Sequence, residues 1–103
     1  MLIILWRNET VDLNLLKESI VTKVHHLTSD NKVPLHKHEK QDEIFYCIKG
    51  SGFGVLEDEE VELTVGESFI VPAGTMHSLR SDTEIYVCAF LVPVLGGQKV
   101  LDF

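Results

Sequence analysis

The chain of 103 residues lacks the features that would tie it to nucleic acid or to a disulfide framework. Its nine lysines and arginines are outnumbered by sixteen aspartates and glutamates, which gives a formal net charge of −7. An acidic surface without a basic stripe repels phosphate backbones, so nucleic acid is not an expected partner. The two cysteines are too few for a disulfide framework and match no zinc motif, and we expect Cys47 and Cys88 to be buried, reduced thiols.

Long hydrophobic runs are also missing. The apolar run at residues 2–6 is too short for the core of a signal peptide and ends at Arg7. No stretch approaches the ~20 apolar residues that a membrane-spanning helix needs. We therefore expect a cytoplasmic protein without a membrane partner. Its length predicts a single domain over residues 1–103.

What the chain does contain is a series of short segments rich in β-branched and aromatic residues, which favour strands. These segments are 19–27, 44–48, 52–56, 61–65, 68–71, 77–79 and 85–92. Turn-forming residues separate them, as at Gly50-Ser51-Gly52. This spacing predicts an all-β antiparallel sandwich or barrel. One short helix is expected over residues 12–18, with Asp12 as its cap.

Three histidines and one glutamate carry the candidate chemistry. His36 and His38 are two residues apart, so in an extended strand both imidazoles would lie on one face, about 6.6 Å apart along the chain. Pro34 supports extended backbone just before them. Glu43 follows His38 by five residues, an odd spacing that would place it on the opposite face of a continuous strand. We expect a turn or bulge in the polar residues between them to return Glu43 to the same side.

The fourth residue, His77, follows the turn residues Pro72-Ala73-Gly74. The fixed φ of Pro72 suits the second position of a type I turn, with Gly74 at the fourth, and Gly66 allows a positive φ before it. A lone histidine in a β protein is usually structural. Three imidazoles and a carboxylate together form an expected ligand set for one divalent ion, of Fe, Mn, Ni, Co or Zn.

These residues resemble the two motifs of the cupin superfamily. The first motif is matched by His36-x-His38, four residues, Glu43, six residues and Gly50, and the second by Gly66, five residues, Pro72-x-Gly74, two residues and His77. Asp30 stands where the first motif begins with glycine, and Ser81 stands where the second ends with asparagine. Neither position is a metal ligand in the family. The thirteen residues 51–63 lie between Gly50 and Thr64, and this short inter-motif region is typical of compact microbial cupins.

The resemblance implies a small single-domain cupin of the cupin 2 type, which is an antiparallel jelly-roll β-barrel of six to eight strands. It implies that His36, His38, Glu43 and His77 project inward onto one divalent metal ion per chain. It also implies a homodimer. The outward side chains of Ile44, Tyr46 and Ile48 give a physical reason, because they would form an apolar face that a second subunit covers.

Alternation along the strands predicts an apolar and aromatic pocket wall. The expected lining residues are Phe45, Cys47, Phe53, Val55, Phe69, Val71 and Leu79, with ordinary core packing as the alternative for each. No lysine or arginine is expected to face inward, which argues against substrates that need a strong carboxylate or phosphate clamp. His25 and His26 are adjacent, so at most one of them faces the barrel, and a structural or surface role is expected.

The ligand set indicates a class of function. Four protein ligands leave two positions of an octahedral ion open to a substrate oxygen, water or dioxygen. The resemblance implies a metalloenzyme, similar to cupin dioxygenases or isomerases, that acts on a small organic molecule. The alternatives are a non-catalytic cupin that binds or senses a small ligand, and a dimeric scaffold that keeps the four residues.

Overall fold

The computed structural model describes residues 2–4, 13–94 and 100–102. In chain order the elements are β1 (Leu2–Ile4), α1 (Leu13–Ser19), β2 (Val21–Thr28), β3 (Gln41–Leu56), β4 (Glu60–Thr64), β5 (Ser68–Val71), β6 (His77–Arg80), β7 (Glu84–Pro93) and β8 (Val100–Asp102). The pairings among these strands are antiparallel, which confirms the expected architecture. The predicted helix is present as α1, but its expected cap, Asp12, lies outside the described residues.

Strand β3 organises the fold because it passes from one sheet into the other. Its first part pairs with β7 and β5, and its second part, from Ser51 onward, pairs with β4 and β6. Strand β2 adds to the far side of β7, which gives the order β2-β7-β3. The described sheet path does not close into a ring, but the two packed layers fit the jelly roll of a cupin. No helix in the described part of the chain is long and apolar enough to cross a membrane.

The core lies between the two layers. Its buried members come from both of them and are Leu27, Phe45, Cys47, Leu63, Phe69, Val71, Leu79, Ile85, Val87 and Ala89. Both cysteines are free thiols. Cys47 is buried as expected, whereas the expectation of burial is wrong for Cys88, which is half-buried on the outer side of β7.

The prediction of separate strands over residues 44–48 and 52–56 is wrong, because β3 runs through the intervening glycines without a break. Gly50 has a φ of 80°, a conformation that favours glycine. A Cβ at Gly50 would overlap the backbone carbonyl of Glu84 on β7. The glycines that look like a turn in the sequence therefore allow a long strand to bend against its neighbour.

A β-bulge in β3 changes which residues face the core. The register with β7 shifts between Cys47 and Lys49. Before the bulge, Phe45 and Cys47 are buried in the core. After it, the inward position is Gly54, because a Cβ there would meet the ring of Phe69 at 2.5 Å. The extra residue inverts the alternation of the strand.

Strands β2, β4, β5, β6 and β7 begin and end within two residues of the predicted bounds. Strands β1 and β8, which pair with each other, were not predicted. At three residues each, they carry too little alternation to be recognised from the sequence.

Candidate metal centre

Four side chains with metal-binding atoms meet near the start of β3. Their ligand-type atoms all lie within 4.8 Å of one another, and they belong to His36, His38, Glu43 and His77. Glu43 comes from β3 and His77 is the first residue of β6, while the other two histidines come from the segment between β2 and β3. The structure thus brings together the four residues that the two sequence motifs single out.

The segment that carries His36 and His38 is not a strand, so the prediction that they share one is wrong. His36 instead forms an isolated bridge with His77. The His36 N–H donates to the His77 carbonyl at 2.9 Å, and the His77 N–H donates to the His36 carbonyl at 2.8 Å. The His38 carbonyl accepts a hydrogen bond from the Gly74 N–H at 2.8 Å. These backbone bonds hold both histidines beside the second motif.

Glu43 reaches the same side because the chain bends at residues 39 and 40, just before β3 begins. This bend is the turn that the odd spacing from His38 requires. The carboxylate of the preceding residue, Asp42, is buried and accepts a hydrogen bond from the Ala73 N–H at 2.8 Å. Sequence reasoning missed Asp42, although a second acidic residue beside a candidate ligand was a visible signal. It ties the start of β3 to the turn that precedes His77.

The turn before His77 differs from the predicted one. The Thr75 N–H donates to the Pro72 carbonyl at 3.2 Å, so Pro72 is the first residue of the turn rather than the second. Gly74 is then the third residue, and its φ of 84° fits a type II turn, which requires a positive φ there. The turn also directs the Thr75 carbonyl at the His77 ring, whose Nδ1 lies 2.8 Å from it.

His77 and Glu43 form a buried pair. Their side chains are 1% and 6% exposed, and His77 Nε2 lies 2.8 Å from Glu43 Oε1. Because a carbonyl oxygen only accepts, Nδ1 of His77 must carry the proton that is donated to Thr75. Nε2 then faces a carboxylate oxygen, and two acceptors at that distance require a cation, either a second proton or a metal ion.

The donor set fits a divalent metal. Nδ1 of His36 lies 2.6 Å from the Pro34 carbonyl, so this ring also donates through Nδ1 and leaves Nε2 as a ligand atom. Such bonds to backbone carbonyls are the outer contacts that orient metal-binding histidines. Nε2 of His38 lies 3.3 Å from Glu43 Oε1. Three imidazole nitrogens around one carboxylate suit Fe, Mn, Ni, Co and Zn.

The pKa values of the central pair shift in opposite directions. Burial raises the pKa of Glu43, but the hydrogen bond from His77 and the charge of the surrounding imidazoles outweigh it, so the pKa falls below its ordinary 4.5. Burial lowers the pKa of His77, but the hydrogen bonds with Glu43 and Thr75 and the carboxylate charge raise it above 6.5. In metal-free protein the pair therefore favours an imidazolium beside a carboxylate.

We expect this pair to make the stability of the metal-free protein depend on pH. The raised pKa of His77 stabilises the fold fully below pH 6.5, and this contribution is lost as the pH rises through the folded-state pKa. The lowered pKa of Glu43 stabilises it fully above pH 4.5, and this contribution is lost as the pH falls through the folded-state pKa. The contribution of the pair to the free energy of unfolding is thus greatest between pH 4.5 and 6.5.

Urea unfolding of chelator-treated protein across this pH range checks the prediction. Glu43→Gln should flatten the profile, while Glu62→Gln, at an exposed position on β4, should leave it unchanged. A Glu43→Gln variant with the same pH profile as the wild type would contradict the assignment of the pair.

The residues predicted to line the pocket divide into two groups. One group is buried on the core side and consists of Phe45, Cys47, Phe69, Val71 and Leu79. The other differs from the expectation: Phe53 and Val55 lie on the face of β3 opposite to that of Gly54 and are half-buried. Phe53 packs under the Arg80 guanidinium at 4.3 Å. Counting by two from Glu43 fails here because the bulge intervenes.

Phe45 connects the candidate centre to the core. Its ring centroid lies 5.8 Å from that of His77 and 6.0 Å from that of Phe69. This places an apolar surface directly beside the buried imidazole.

Strand β2 brings Lys23, whose side chain is exposed, to the core-side face of the sheet, a placement that the sequence did not indicate. Lys23 is opposite Ala89, which is opposite Phe45. Directly opposed residues of antiparallel strands share a face, and both Ala89 and Phe45 are buried in the core. His25, two residues along, lies on this face as well, with its ring 6.4 Å from that of Phe45.

His26 faces the other way, as expected for the neighbour of an inward residue. Its ring stacks on Tyr86 at 4.1 Å, and its Nε2 lies 3.1 Å from Glu84. It belongs to the outer surface of the sheet.

Ser81, which stands where the cupin motif has asparagine, is buried at the end of β6. Its Oγ donates to the Ser51 carbonyl at 2.6 Å and accepts from the Thr83 N–H at 3.1 Å. The serine thus holds the connection between β6 and β7.

The fold and the motif residues are those of a cupin, and the comparison with protein families agrees. The chain belongs to the cupin domain family, whose model matches residues 24–93.

Curated relatives match only part of their own length. The chain is 33% identical over 51 residues to an uncharacterized protein of Methanocaldococcus jannaschii, covering 50% of this chain and 41% of that protein. It is 40% identical over 48 residues to quercetin 2,3-dioxygenase of Bacillus subtilis, covering 47% of this chain and 14% of that protein. The chain therefore spans less than half of the length of these two relatives.

Solved structures agree on the fold. A protein from Thermotoga maritima, named a predicted oxalate decarboxylase, superposes with a TM-score of 0.70 at 22% identity, covering 82% of this chain and 76% of that one. At this level of identity the similarity shows the fold alone.

Proposed function

We propose that this cupin binds one divalent ion per chain through His36, His38, Glu43 and His77, and that it is a metal-dependent enzyme for a small organic molecule. The observation that carries the proposal is the convergence of four ligand-type atoms within 4.8 Å. When bound, an Fe, Mn, Ni, Co or Zn ion would supply a Lewis acid that could act on a substrate oxygen or on dioxygen. Such a centre would suit dioxygenase-like or isomerase-like chemistry.

Burial across the centre supports access from one side. Glu43 and His77 are buried, whereas His36 and His38 are half-buried. The inward residues of β2 also become more exposed toward the start of that strand, from buried Leu27 to exposed Lys23 and Val21. The centre is therefore closed to water on the side of Glu43 and His77 and partly exposed on the side of His36 and His38.

The chain's own residues prepare the centre for binding. The lowered pKa of Glu43 keeps its carboxylate ionised at neutral pH. The Thr75 carbonyl orients the His77 ring, and the ring of Phe45 excludes water beside it. The partial similarity to a quercetin 2,3-dioxygenase adds support for oxygen chemistry.

Turnover by defined metal forms tests the proposal. Protein reconstituted separately with each of the five metals is assayed for oxygen uptake with flavonols, 1,3-diketones and small thiols, and for isomerised products without oxygen. We expect one metal form to turn over one class of compound, with a loss of at least ~100-fold in Glu43→Gln. The control His26→Ala should keep full activity, because His26 lies on the outer surface. Tight ligand binding without turnover in every metal form would instead support a non-catalytic, ligand-sensing cupin.

We also propose that the chain is a cytoplasmic homodimer, in which the free thiols Cys47 and Cys88 stay reduced. Val24, Tyr46 and Ile48 are 67%, 42% and 48% exposed, and Val24 and Tyr46 both flank Cys88 on the outer face of the sheet. A second copy would cover this apolar surface. Ile44 adds little exposed area, since it is buried. Light scattering at micromolar concentration should give the mass of a dimer, and a monomer would contradict the proposal.

A further inference from the structure

We propose that Lys23 is the anion-binding residue of the same pocket, and that the substrate is a small organic acid. One oxygen-bearing end of this acid would reach the metal and a carboxylate at its other end would reach Lys23. The inference rests on the proposed metal site. It goes further by naming the chemical class of the substrate and the residue that selects it.

The register of the sheet places Lys23 close to the candidate centre. Glu43 is opposite Leu91, and Leu91 is opposite Val21, so Val21 lies in the same row as the metal-binding carboxylate. Lys23 is the next residue of β2 on that face. Two strand spacings across and two residues along put the Cα atoms of Lys23 and Glu43 about 12 Å apart. Both side chains project from the same face of the sheet, so a molecule of a few carbons, with its contacts at each end, spans a gap of this size.

Lys23 also has no partner among the side chains that the structure describes. Within residues 13–94 it has no ion pair or hydrogen bond with another described side chain, although the chain carries a net charge of −7. Lys37 lies 3.0 Å from Glu39, and Arg80 pairs with Glu60 and Asp82, whereas Lys17, Lys32 and Lys40, like Lys23, have no ion pair among the described residues. What distinguishes Lys23 is its position, because its exposed ammonium lies on the core-side face of the edge strand β2, where it is available for an anionic ligand.

The surface between Lys23 and the metal site suits the carbon chain of such a ligand. The ring of Phe45 lies 5.8 Å from that of His77 and 6.4 Å from that of His25. This face of the sheet therefore offers apolar side chains in the middle, the candidate metal ligands at one end and an ammonium at the other. A short-chain keto or hydroxy acid with a second carboxylate matches this arrangement. Its keto or hydroxyl oxygen would reach the metal, its carbon chain would lie against the apolar side chains, and its second carboxylate would pair with the ammonium through charge-assisted hydrogen bonds.

The test uses two probes of equal length and the cobalt(II) form of the protein, whose visible absorption reports on ligands at the metal. 2-Oxoglutarate carries a distal carboxylate, and 2-oxopentanoate has a methyl group in its place. We expect Lys23→Gln to weaken 2-oxoglutarate binding about tenfold, and to leave 2-oxopentanoate binding unchanged. Lys23→Arg should restore most of the affinity.

A matched variant separates position from net charge. Thr22 neighbours Lys23 on β2 and faces the outer side of the sheet. In the double variant Thr22→Lys/Lys23→Gln the ammonium moves to that side, and we expect the affinity for 2-oxoglutarate to stay low. Full recovery in the double variant, or equal affinity in wild type and Lys23→Gln with normal cobalt binding, would overturn the inference while leaving the metal site intact. Failure of the wild type to bind cobalt would overturn the proposed function itself.

Discussion

Replacing His77 or His38 with alanine is expected to remove the divalent metal from the protein. Wild-type protein, purified without a chelating tag and reconstituted, should hold about one ion per chain, because metal binding draws on all four converging ligands. Loss of one of these ligands should cost at least ~100-fold in affinity, since even outer-shell substitutions cost 10–100-fold. Elemental analysis by mass spectrometry, with competition against a chelator of known affinity, measures both quantities.

We expect His38→Ala to remove a ligand without unfolding the protein, because the His38 side chain is 29% exposed and lies outside the strands. His77→Ala is the more disruptive variant, since that ring is buried against Glu43. The matched control is His26→Ala, which removes an imidazole from the outer surface and should leave the metal content unchanged. Wild-type protein that takes up no metal after reconstitution, or a His26→Ala variant that loses as much as His38→Ala, would refute the assignment.

Truncation of Phe45 to alanine is expected to lower the free energy of unfolding by about 3–5 kcal/mol. Its ring is fully buried and packs between Phe69 and the His77 imidazole, so its removal leaves a cavity at the junction of the core and the candidate centre. A loss of this size is a large fraction of the ~5–15 kcal/mol that stabilises a typical domain. Urea unfolding of the metal-free protein measures the effect without a contribution from bound metal.

Phe53→Ala is the natural comparison for Phe45→Ala, because both residues belong to β3 and were expected to line one pocket. Phe53 lies beyond the bulge, half-buried under the Arg80 guanidinium. A cation–π contact at such a site contributes only ~0.5–1 kcal/mol beyond packing, so we expect less than half of the loss seen for Phe45→Ala. Equal losses would show that the alternation of β3 does not invert.

The strands with clear patterns could be predicted from the sequence because their signals are local. β2, β4, β5, β6 and β7 combine β-branched residues with bounding turns, and their observed ends lie within two residues of the predicted ones. The four candidate ligands could also be named in advance, since the spacings around His36, Glu43 and His77 match a known pair of motifs. Both kinds of signal lie in residues close together in the chain.

The features that were mispredicted depend on contacts between distant segments. The continuity of β3 through Gly50 follows from its close approach to Glu84. The irregular placement of His36 follows from its bridge to His77, which is itself positioned by the turn at Pro72. These contacts join residues that are far apart in the chain, so no local sequence pattern indicates them. Local patterns therefore predicted a turn at Gly50 and a strand at His36.

The face of the sheet on which each residue lies shows most clearly what the sequence determined by itself and what only the tertiary structure decided. Amino-acid types and spacing were sufficient to indicate an antiparallel β fold and the four side chains of a candidate metal centre. Only pairing with β7 places Lys23 on the core-side face of the sheet, and only the bulge in β3 turns Phe53 away from the core. The physical reason is that a strand alternates with a period of two, so its facing is set by register and by any bulge, and both depend on the partner strand.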